Sequence, residues 1–387
     1  MDGSMVPAIG DGKSTHPLKL FDIARSQDRF LTACAPMVRY SKLAFRQTVH
    51  HYGTDLSWTP MILAKEFNRS SFARDGDLTI NTAGPQPPTI LQFGANSPRE
   101  LARASLLAIP WVNGVDLNCG CPQSWACAET LGAALMNQRE LVRDMVLETR
   151  STLADAGWHV GIDKDKESAT GRSVSVKIRI HDDLRRTMDW IDTVIGDPNN
   201  RNVDWITIHP RTRSTPSTTP IREDALAILA EKYSPILPVL LSGDVFDASA
   251  LPFQASTPAT QETLTLNDIL PRDKTDGPKP SNTNIAGFMS ARGLLSNPAL
   301  FGGHSTCPWE AVEYFMNRVA RAPIPFKLTL HHVHEMVSPG MGKDKTALLD
   351  RKERAQLNRL TNMFDLIDFL DVKIAEKTGQ NGMRRDL

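Results

Sequence analysis

The sequence predicts a (β/α)8 (TIM) barrel followed by an all-helical C-terminal domain. Eight short apolar segments recur between residues 31 and 289 without strict polar alternation, a pattern typical of strands buried on both faces. Amphipathic stretches separate most of these segments, as in barrels and in doubly wound sheets. After Pro308 only helical patterns occur. An open, doubly wound sheet is the alternative fold.

Each predicted element follows from its local pattern. Ser97 and Pro98 are typical of a helix start, and Gly157 is typical of a helix end. The predicted strands are Leu31–Ala35, Leu56–Thr59, Thr89–Phe93, Gly114–Asn118, Val174–Ile180, Trp205–His209, Val239–Ser242 and Ile285–Met289. The predicted helices are Tyr40–Tyr52, Pro98–Leu107, Arg139–Ala156, Arg185–Ile195, Arg222–Lys232, Trp309–Ala320, Phe326–Val337 and Thr346–Asp371.

These elements define three regions of the chain. Residues 1–28 are polar and contain Gly and Pro, so we expect a flexible lead. Residues 29–305 form the predicted catalytic barrel, and a stretch rich in Thr, Pro, Ser and Asp at about 254–283 predicts a surface insertion. Residues 306–387 form the predicted helical domain.

Composition excludes several classes of protein. The 387 residues carry 44 Lys plus Arg and 44 Asp plus Glu, which excludes nucleic-acid binding by bulk charge but leaves a local basic surface open. Five cysteines, an odd number, favour reduced thiols over a disulfide scaffold. No stretch resembles a signal-peptide core or a membrane span. We therefore expect a cytoplasmic and/or nuclear protein, without an obligate protein partner.

Polar and special residues follow most of the predicted strands, and strand ends carry the active site in such barrels. Singly, Lys177 could be a surface lysine, His209 a core histidine and Gly243 a turn residue. Together they predict a phosphate-bearing cofactor near Gly243 and Arg292, with Lys177 stabilising an electron-rich ring. The strand-end candidates are Pro36, Met37, Val38, Gln92, Asn118, Cys121, Lys177, Arg179, His209, Arg211, Ser242, Gly243, Asp244, Ala291 and Arg292.

Cys121 lies between Gly120 and Pro122 on one of these loops, and three interpretations are open. A thiol with an ordinary pKa of about 8.5 is protonated at neutral pH and can act as a general acid. It could also be a buried structural thiol. Together with Cys119 and Cys127 it could bind zinc, although no second paired cluster accompanies them.

Several motifs resemble the tRNA-dihydrouridine synthases, in the order seen in that family. The closest resemblance is to the eukaryotic branch that acts on positions 20a and 20b of the tRNA D-loop. The resemblance covers residues 31–303 and continues more weakly in the helical tail. Its motifs are APMVRYSKLAFRQ, PMILAKEF, QFG, DLNCGCPQSWA, VKIR, HPRTR, SGD and SARGLLSNPALF.

The resemblance implies an FMN-containing barrel and a tRNA-binding helical domain. In the family, NADPH reduces the flavin, hydride passes to uracil C6, and a cysteine matching Cys121 protonates C5. Asn118 matches a residue beside substrate and flavin, and we expect Arg179 and Arg211 to bind substrate as well. The residues expected to hold FMN are Pro36, Met37, Val38, Gln92, Lys177, His209, Ser242, Gly243, Asp244, Ala291 and Arg292.

The sequence departs from the family pattern at three of its motifs. Ser242 stands where Asn is common, Pro210 follows the histidine in place of Gly, and Ala291 precedes the arginine in place of Gly. A serine hydroxyl cannot offer an amide's paired donor and acceptor, so we expect a weaker local flavin contact. Two other functions compete: an FMN barrel that reduces a small molecule, and a non-catalytic tRNA-binding protein.

Overall fold

The computed structural model of the protein describes residues 15–80, 87–252 and 284–384, and confirms the barrel. Eight parallel strands close on themselves through the β1–β9 and β2–β4 pairings, which excludes the open sheet. All eight predicted strands are present, each within two residues of its expected start. The strands are β1 Leu31–Cys34, β2 Leu56–Trp58, β3 Ile62–Leu63, β4 Thr89–Gly94, β5 Gly114–Cys119, β6 Ser173–Arg179, β7 Ile206–His209, β8 Val239–Ser242 and β9 Gly287–Ser290.

The ninth strand of the sheet, β3, was not predicted. It consists of Ile62 and Leu63 and pairs only with the last two residues of β4, Phe93 and Gly94. Two residues after Pro60 are too few for a periodic pattern, so the sequence carries no signal for it.

Helices cover the outside of the barrel, and each predicted helix overlaps an observed one, except that the predicted helix Thr346–Asp371 is divided in two. They are α1 Pro17–Ser26, α2 Leu43–His51, α3 Ala64–Arg69, α4 Ser71–Asp77, α5 Pro98–Ala108, α6 Ser124–Ala128, α7 Arg139–Asp155, α8 Leu184–Ile195, α9 Glu223–Tyr233, α10 Arg292–Ser296, α11 Trp309–Arg321, α12 Phe326–Val337, α13 Arg351–Leu357 and α14 Met363–Thr378.

The expectation of a flexible lead was wrong for α1. The His16 imidazole accepts a hydrogen bond from the Leu18 N–H, and Pro17 occupies the first turn, so both start signals are present. Phe21 is buried against Trp205, with ring centroids 5.6 Å apart. The apolar face of α1 thereby joins the core inside the barrel at its amino-terminal end, here called the floor. Residues 1–14 lie outside the described ranges.

The C-terminal segment is helical, as predicted, but its last helix is divided. Asp350 and Glu353 form a capping box, so α13 begins at Arg351 and not at Thr346. Asn362 caps α14 by accepting from the Asp365 N–H, which starts a second helix. Stacking of His51 on Tyr314, at 4.0 Å and 12°, helps to attach α11 to the barrel helix α2.

Two further expectations concern the predicted insertion and membrane-spanning helices. The predicted insertion at about 254–283 lies outside the described residues. In the described ranges, no helix has the length and apolar character needed to cross a membrane.

Candidate active site

The carboxyl ends of the strands bring most of the expected site residues to one end of the barrel, here called the mouth. Strand register places Asn118 beside Lys177 and Arg179 beside His209. Ser290 pairs with Cys34, which sets the loop that starts at Ala291 next to the loop carrying Pro36. The mouth is therefore lined by predicted residues from every strand of the closed barrel except β2.

A chain of hydrogen bonds crosses the barrel interior to the Cys121 loop. Ser175 Oγ donates to Asp116 Oδ1 at 2.7 Å, and Gln92 Nε2 donates to Asp116 Oδ2 at 2.8 Å. Asn118 Nδ2 donates to Gln92 Oε1 at 2.7 Å. The Asn118 Oδ1 then accepts from the Cys121 N–H at 2.8 Å. Side chains from three adjacent strands thus fix the backbone that carries the thiol.

A second set of contacts holds this loop from its other side. The Cys121 carbonyl accepts a hydrogen bond from the Ala133 N–H at 2.8 Å. Gly132 has a φ of +59°, and a Cβ there would lie 2.5 Å from the Cys121 carbonyl oxygen. Only glycine fits so close an approach in that conformation. The thiol position is therefore fixed by Asn118 and Gly132 together.

Cys121 is half-buried and lies on the loop that follows β5 at the mouth. Desolvation raises its pKa, and the positive charges of Arg179 and Lys177 oppose that rise. The thiol is therefore protonated at neutral pH and can donate its proton. The nearby cations can stabilise the thiolate that remains.

Lys177 carries a positive charge into the mouth. Burial lowers its pKa to about 8, with the charge of Arg179 adding to that effect and Asp116 opposing it. Among the described residues, no hydrogen bond or salt bridge engages the Lys177 ammonium. A desolvated ammonium without a partner is unfavourable unless a ligand supplies the missing acceptor.

His209 is neutral, since its pKa lies far below the usual range. Desolvation is the main cause, and the charges of Lys177 and Arg179 contribute. The imidazole Nε2 lies 3.0 Å from the guanidinium Nη1 of Arg211, so this nitrogen is the acceptor and Nδ1 carries the proton. The histidine can therefore present one N–H donor to a ligand.

Arg211 and Asp244 bind each other. The guanidinium donates two hydrogen bonds to the Asp244 carboxylate, at 2.6 and 2.7 Å, and a third to the Thr219 carbonyl at 2.6 Å. Arg211 is 2% exposed. In this arrangement it holds the loops after β7 and β8 together, and its expected contact with substrate stays a prediction.

Gly243 allows the loop after β8 to pass over His209. Its φ is +118°, and a Cβ there would lie 3.3 Å from His209 Nε2 and 2.8 Å from the Ile221 side chain. A larger residue would displace the imidazole. The glycine predicted for phosphate approach is thus also required by the histidine.

The remaining predicted residues form the rim. Arg292 makes one long hydrogen bond, 3.3 Å to the Ser217 carbonyl, and lies over the Phe246 ring, so most of its donors remain open. Arg179 donates to the Gly120 and Thr212 carbonyls at 2.9 and 2.6 Å. The other rim residues differ in exposure: Ser242 is buried, Pro36, Met37 and Ala291 are half-buried, and Val38 is exposed.

Asp116 and Gly132 were not recognised from the sequence. Asp116 lies two residues before Asn118, a spacing that places both side chains on one face of the strand and could have revealed it. Burial raises the pKa of Asp116 to about 6, while its hydrogen bonds from Gln92 and Ser175 oppose the shift. No sequence pattern marked Gly132, because its role depends on its contact with the Cys121 carbonyl in the folded loop.

A zinc cluster needs several ligating side chains close together. In the described ranges, no group of three or more His, Cys, Asp or Glu side chains is placed to hold a metal. Cys119 is completely buried among core residues on β5, so its thiol does not share the mouth with Cys121.

A parallel barrel that brings a thiol, several cations and a neutral histidine together at the carboxyl ends of its strands belongs to the class of barrel enzymes, which carry their active sites at that end. Comparison with known proteins narrows this class. The family model for dihydrouridine synthase (Dus) matches residues 33–260. The chain belongs to the dihydrouridine synthase family.

Several curated relatives are similar to the chain over nearly its whole length. A human protein named tRNA-dihydrouridine(20a/20b) synthase [NAD(P)+]-like is 34% identical, covering 95% of this chain and 96% of its own. The Schizosaccharomyces pombe tRNA-dihydrouridine(20a/20b) synthase [NAD(P)+] is also 34% identical, with 92% and 91% coverage. A mouse protein named as a tRNA-dihydrouridine(16/17) synthase is 28% identical and covers 81% of this chain.

Proposed function

We propose that the protein is an FMN-dependent tRNA-dihydrouridine synthase that reduces uridines 20a and 20b of the tRNA D-loop with NADPH. Family membership supports the reaction, and the 20a/20b relatives, being more similar than the 16/17 relatives, support the positions. The observation that carries the proposal is the protonated Cys121 thiol, fixed by Asn118 at a cationic mouth.

The mouth residues fit FMN. In the described part of the chain the Lys177 ammonium has no hydrogen-bond or salt-bridge partner, and the guanidinium of Arg292 retains open donors, so both can bind an anionic ring and a phosphate. Gln92 bonds Asp116 and Asn118 but keeps one further donor and one further acceptor position for a flavin edge. We assign the FMN site to these residues with Pro36, Met37, Val38, His209, Ser242, Gly243, Asp244 and Ala291.

Reduction of the uracil C5–C6 bond needs a hydride at C6 and a proton at C5. Reduced FMN supplies the hydride. The Cys121 S–H bond breaks as its proton passes to C5, and Lys177 and Arg179 stabilise the resulting thiolate through their charge. Water then returns a proton to the sulfur. Asn118 and Gly132 keep the thiol in position throughout.

A uridine inside folded tRNA must leave its stack to enter the mouth. We assign Asn118, Arg179 and Arg211 to its binding, Arg211 by joining the loops after β7 and β8 through its hydrogen bonds to Asp244. We further propose that the C-terminal helices bind the body of the tRNA. Their exposed cations, Arg351 and Lys352 among them, offer phosphate contacts.

Two measurements on the purified protein test this proposal. The protein should show a flavin absorbance that NADPH bleaches and that tRNA, but not free uridine, restores. Mass spectrometry of the tRNA should then find dihydrouridine at 20a and 20b. A protein without flavin, or one that reduces free uridine equally well, contradicts the proposal; the second result favours a small-molecule reductase.

A further inference from the structure

A second charged surface lies outside the active site, between α3 and α5. We call it the α3–α5 cleft. It has a volume of about 470 Å³, and Asn68 joins its two helices by donating to the Glu100 carbonyl at 2.9 Å. The cleft is lined by Lys65, Asn68, Arg69, Arg99, Glu100 and Arg103.

The four cations of the cleft are exposed and unpaired. In the described part of the chain, no salt bridge or side-chain hydrogen bond engages Lys65, Arg69, Arg99 or Arg103. Each helix also places two like charges four residues apart, a spacing that destabilises a helix by a few tenths of a kcal/mol. The protein itself gives no compensating contact for this concentration of charge.

A comparable cleft between α7 and α8 shows the usual arrangement of surface charge. It is lined by Arg139, Arg186, Glu140 and Asp189, among others. There Arg139 forms salt bridges with both carboxylates, and Arg186 donates to the Asn137 side chain at 3.0 Å. The lining of the α3–α5 cleft contains one carboxylate, Glu100, for four positive charges. The two clefts therefore differ in how many of their cations pair with other side chains.

The α3–α5 cleft lies close to the thiol loop. α3 directly follows β3, and α5 begins four residues after β4 ends, so the first turns of both helices are at the mouth. Asn96, in the loop before α5, donates to the Glu129 carbonyl at 2.8 Å. Glu129 follows α6, the short helix that begins three residues after Cys121. The cleft thus extends from the rim down the outside of the barrel.

We propose that the α3–α5 cleft binds backbone phosphates of the tRNA strand that flanks the target uridine. Guanidinium forks and an ammonium are the groups that bind phosphate best. Such contacts set the register of a nucleic acid without reading its sequence. This inference rests on the proposed function, because it assumes that tRNA is the substrate.

A charge-neutralising variant tests the cleft. Arg69→Gln, Arg99→Gln and Arg103→Gln together should weaken tRNA binding about tenfold or more and reduce the slope of log Kd against log salt by about 2 to 3. The matched control removes three paired surface cations, Arg143→Gln, Arg185→Gln and Lys232→Gln, and should leave affinity near that of the native protein. Flavin reduction by NADPH should be normal in both variants, which verifies folding.

Three outcomes separate the two proposals. A cleft variant with native affinity and salt slope, in an enzyme that forms dihydrouridine, overturns the cleft alone. A smaller loss in the cleft variant than in the control also overturns it. If the native protein neither binds tRNA nor forms dihydrouridine, the proposed function fails and the cleft assignment fails with it.

A measurement on the native protein avoids any effect of substitution on folding. Saturating tRNA should protect Lys65 from acetylation by an amine-reactive ester, read by peptide mass spectrometry. Lys232, exposed on α9, should react equally with and without tRNA. Equal reactivity of Lys65 in both conditions overturns the cleft assignment.

Discussion

The floor and the mouth of the barrel both contain buried cations, but only those of the floor are fully engaged by the protein. At the floor, Arg150 pairs with Asp204, and Arg172 donates to three backbone carbonyls while lying over the Trp158 ring. At the mouth, no described residue makes a hydrogen bond or salt bridge with Lys177, and Arg292 makes one long hydrogen bond. The difference separates charges that stabilise the fold from charges left free for a ligand.

The largest expected effect is at the mouth. Cys121→Ala should lower dihydrouridine formation about 10²- to 10⁴-fold, because a positioned general acid is lost, while flavin reduction by NADPH and the free energy of unfolding change little. Single-turnover flavin reoxidation with tRNA measures this step. Cys119→Ala and Cys127→Ala serve as controls and should retain most activity. Equal losses of activity in all three variants would contradict the assignment of Cys121 as the proton donor.

A substitution at the floor should lower stability and leave activity unchanged, the opposite of the effect expected for Cys121→Ala. Asp204→Ala leaves the Arg150 guanidinium without its carboxylate and the Val174 N–H without its acceptor. We expect a loss of about 3–5 kcal/mol in the free energy of unfolding, as for other broken buried pairs, measured by urea denaturation. Activity per folded molecule should be unchanged. A loss of activity without a loss of stability would contradict the view that the floor charges serve only the fold.

Arg292→Ala tests whether the open guanidinium serves the cofactor. Loss of a charged contact to phosphate should weaken FMN binding by about 1.5–3 kcal/mol, seen as reduced flavin content after purification. The thermal midpoint of the flavin-free protein should stay close to that of the native protein, because Arg292 contributes one weak bond to the fold. If Arg292→Ala purifies with full flavin content, other residues must bind the FMN phosphate.

The stability cost of burying Lys177 at the mouth depends on pH. Its pKa is about 8 in the folded protein, against an ordinary 10.5, so the unfolded chain binds this proton more tightly. Its burial therefore destabilises the flavin-free fold below pH 8, and this penalty disappears as pH rises toward 10.5. Lys177→Met should be more stable at pH 7 by roughly 1–3 kcal/mol, with the difference shrinking between pH 8 and 10.5 in urea titrations. A stability difference between variant and native protein that stays constant from pH 8 to 10.5 would contradict the lowered pKa of Lys177.

The smallest effect is expected in the helical tail. Neutralising Lys343, Lys345, Arg351 and Lys352 together should weaken tRNA binding severalfold and flatten its salt dependence, while flavin reduction by NADPH stays normal. Lys373→Gln is a suitable control, because Lys373 already pairs with Glu353 and Glu376. Unchanged tRNA affinity in the fourfold variant would assign these residues to an ordinary solvated surface.

The sequence predicted the barrel well because each strand is a buried apolar run with its own boundaries. It also predicted most of the mouth, since parallel topology brings all strand ends together. It did not predict the docking of α1, because that depends on Phe21 meeting Trp205, a residue far along the chain. The role of Gly132 was missed because it depends on how the loop folds back, which brings Gly132 against the Cys121 carbonyl. The break before α14 was missed because the capping by Asn362 is local and interrupts a continuous helical pattern.

Closure of the barrel has a consequence for synthesis of the chain. Leu31 pairs with Gly287, so β1 emerges from the ribosome long before β9, the strand that covers its edge. Until then the nascent sheet has open edges at β1 and at the most recently made strand, and such edges invite pairing with other chains. Contacts so distant in sequence also slow folding. Pairing of these open edges with other chains during translation is therefore a hazard for expression of this protein.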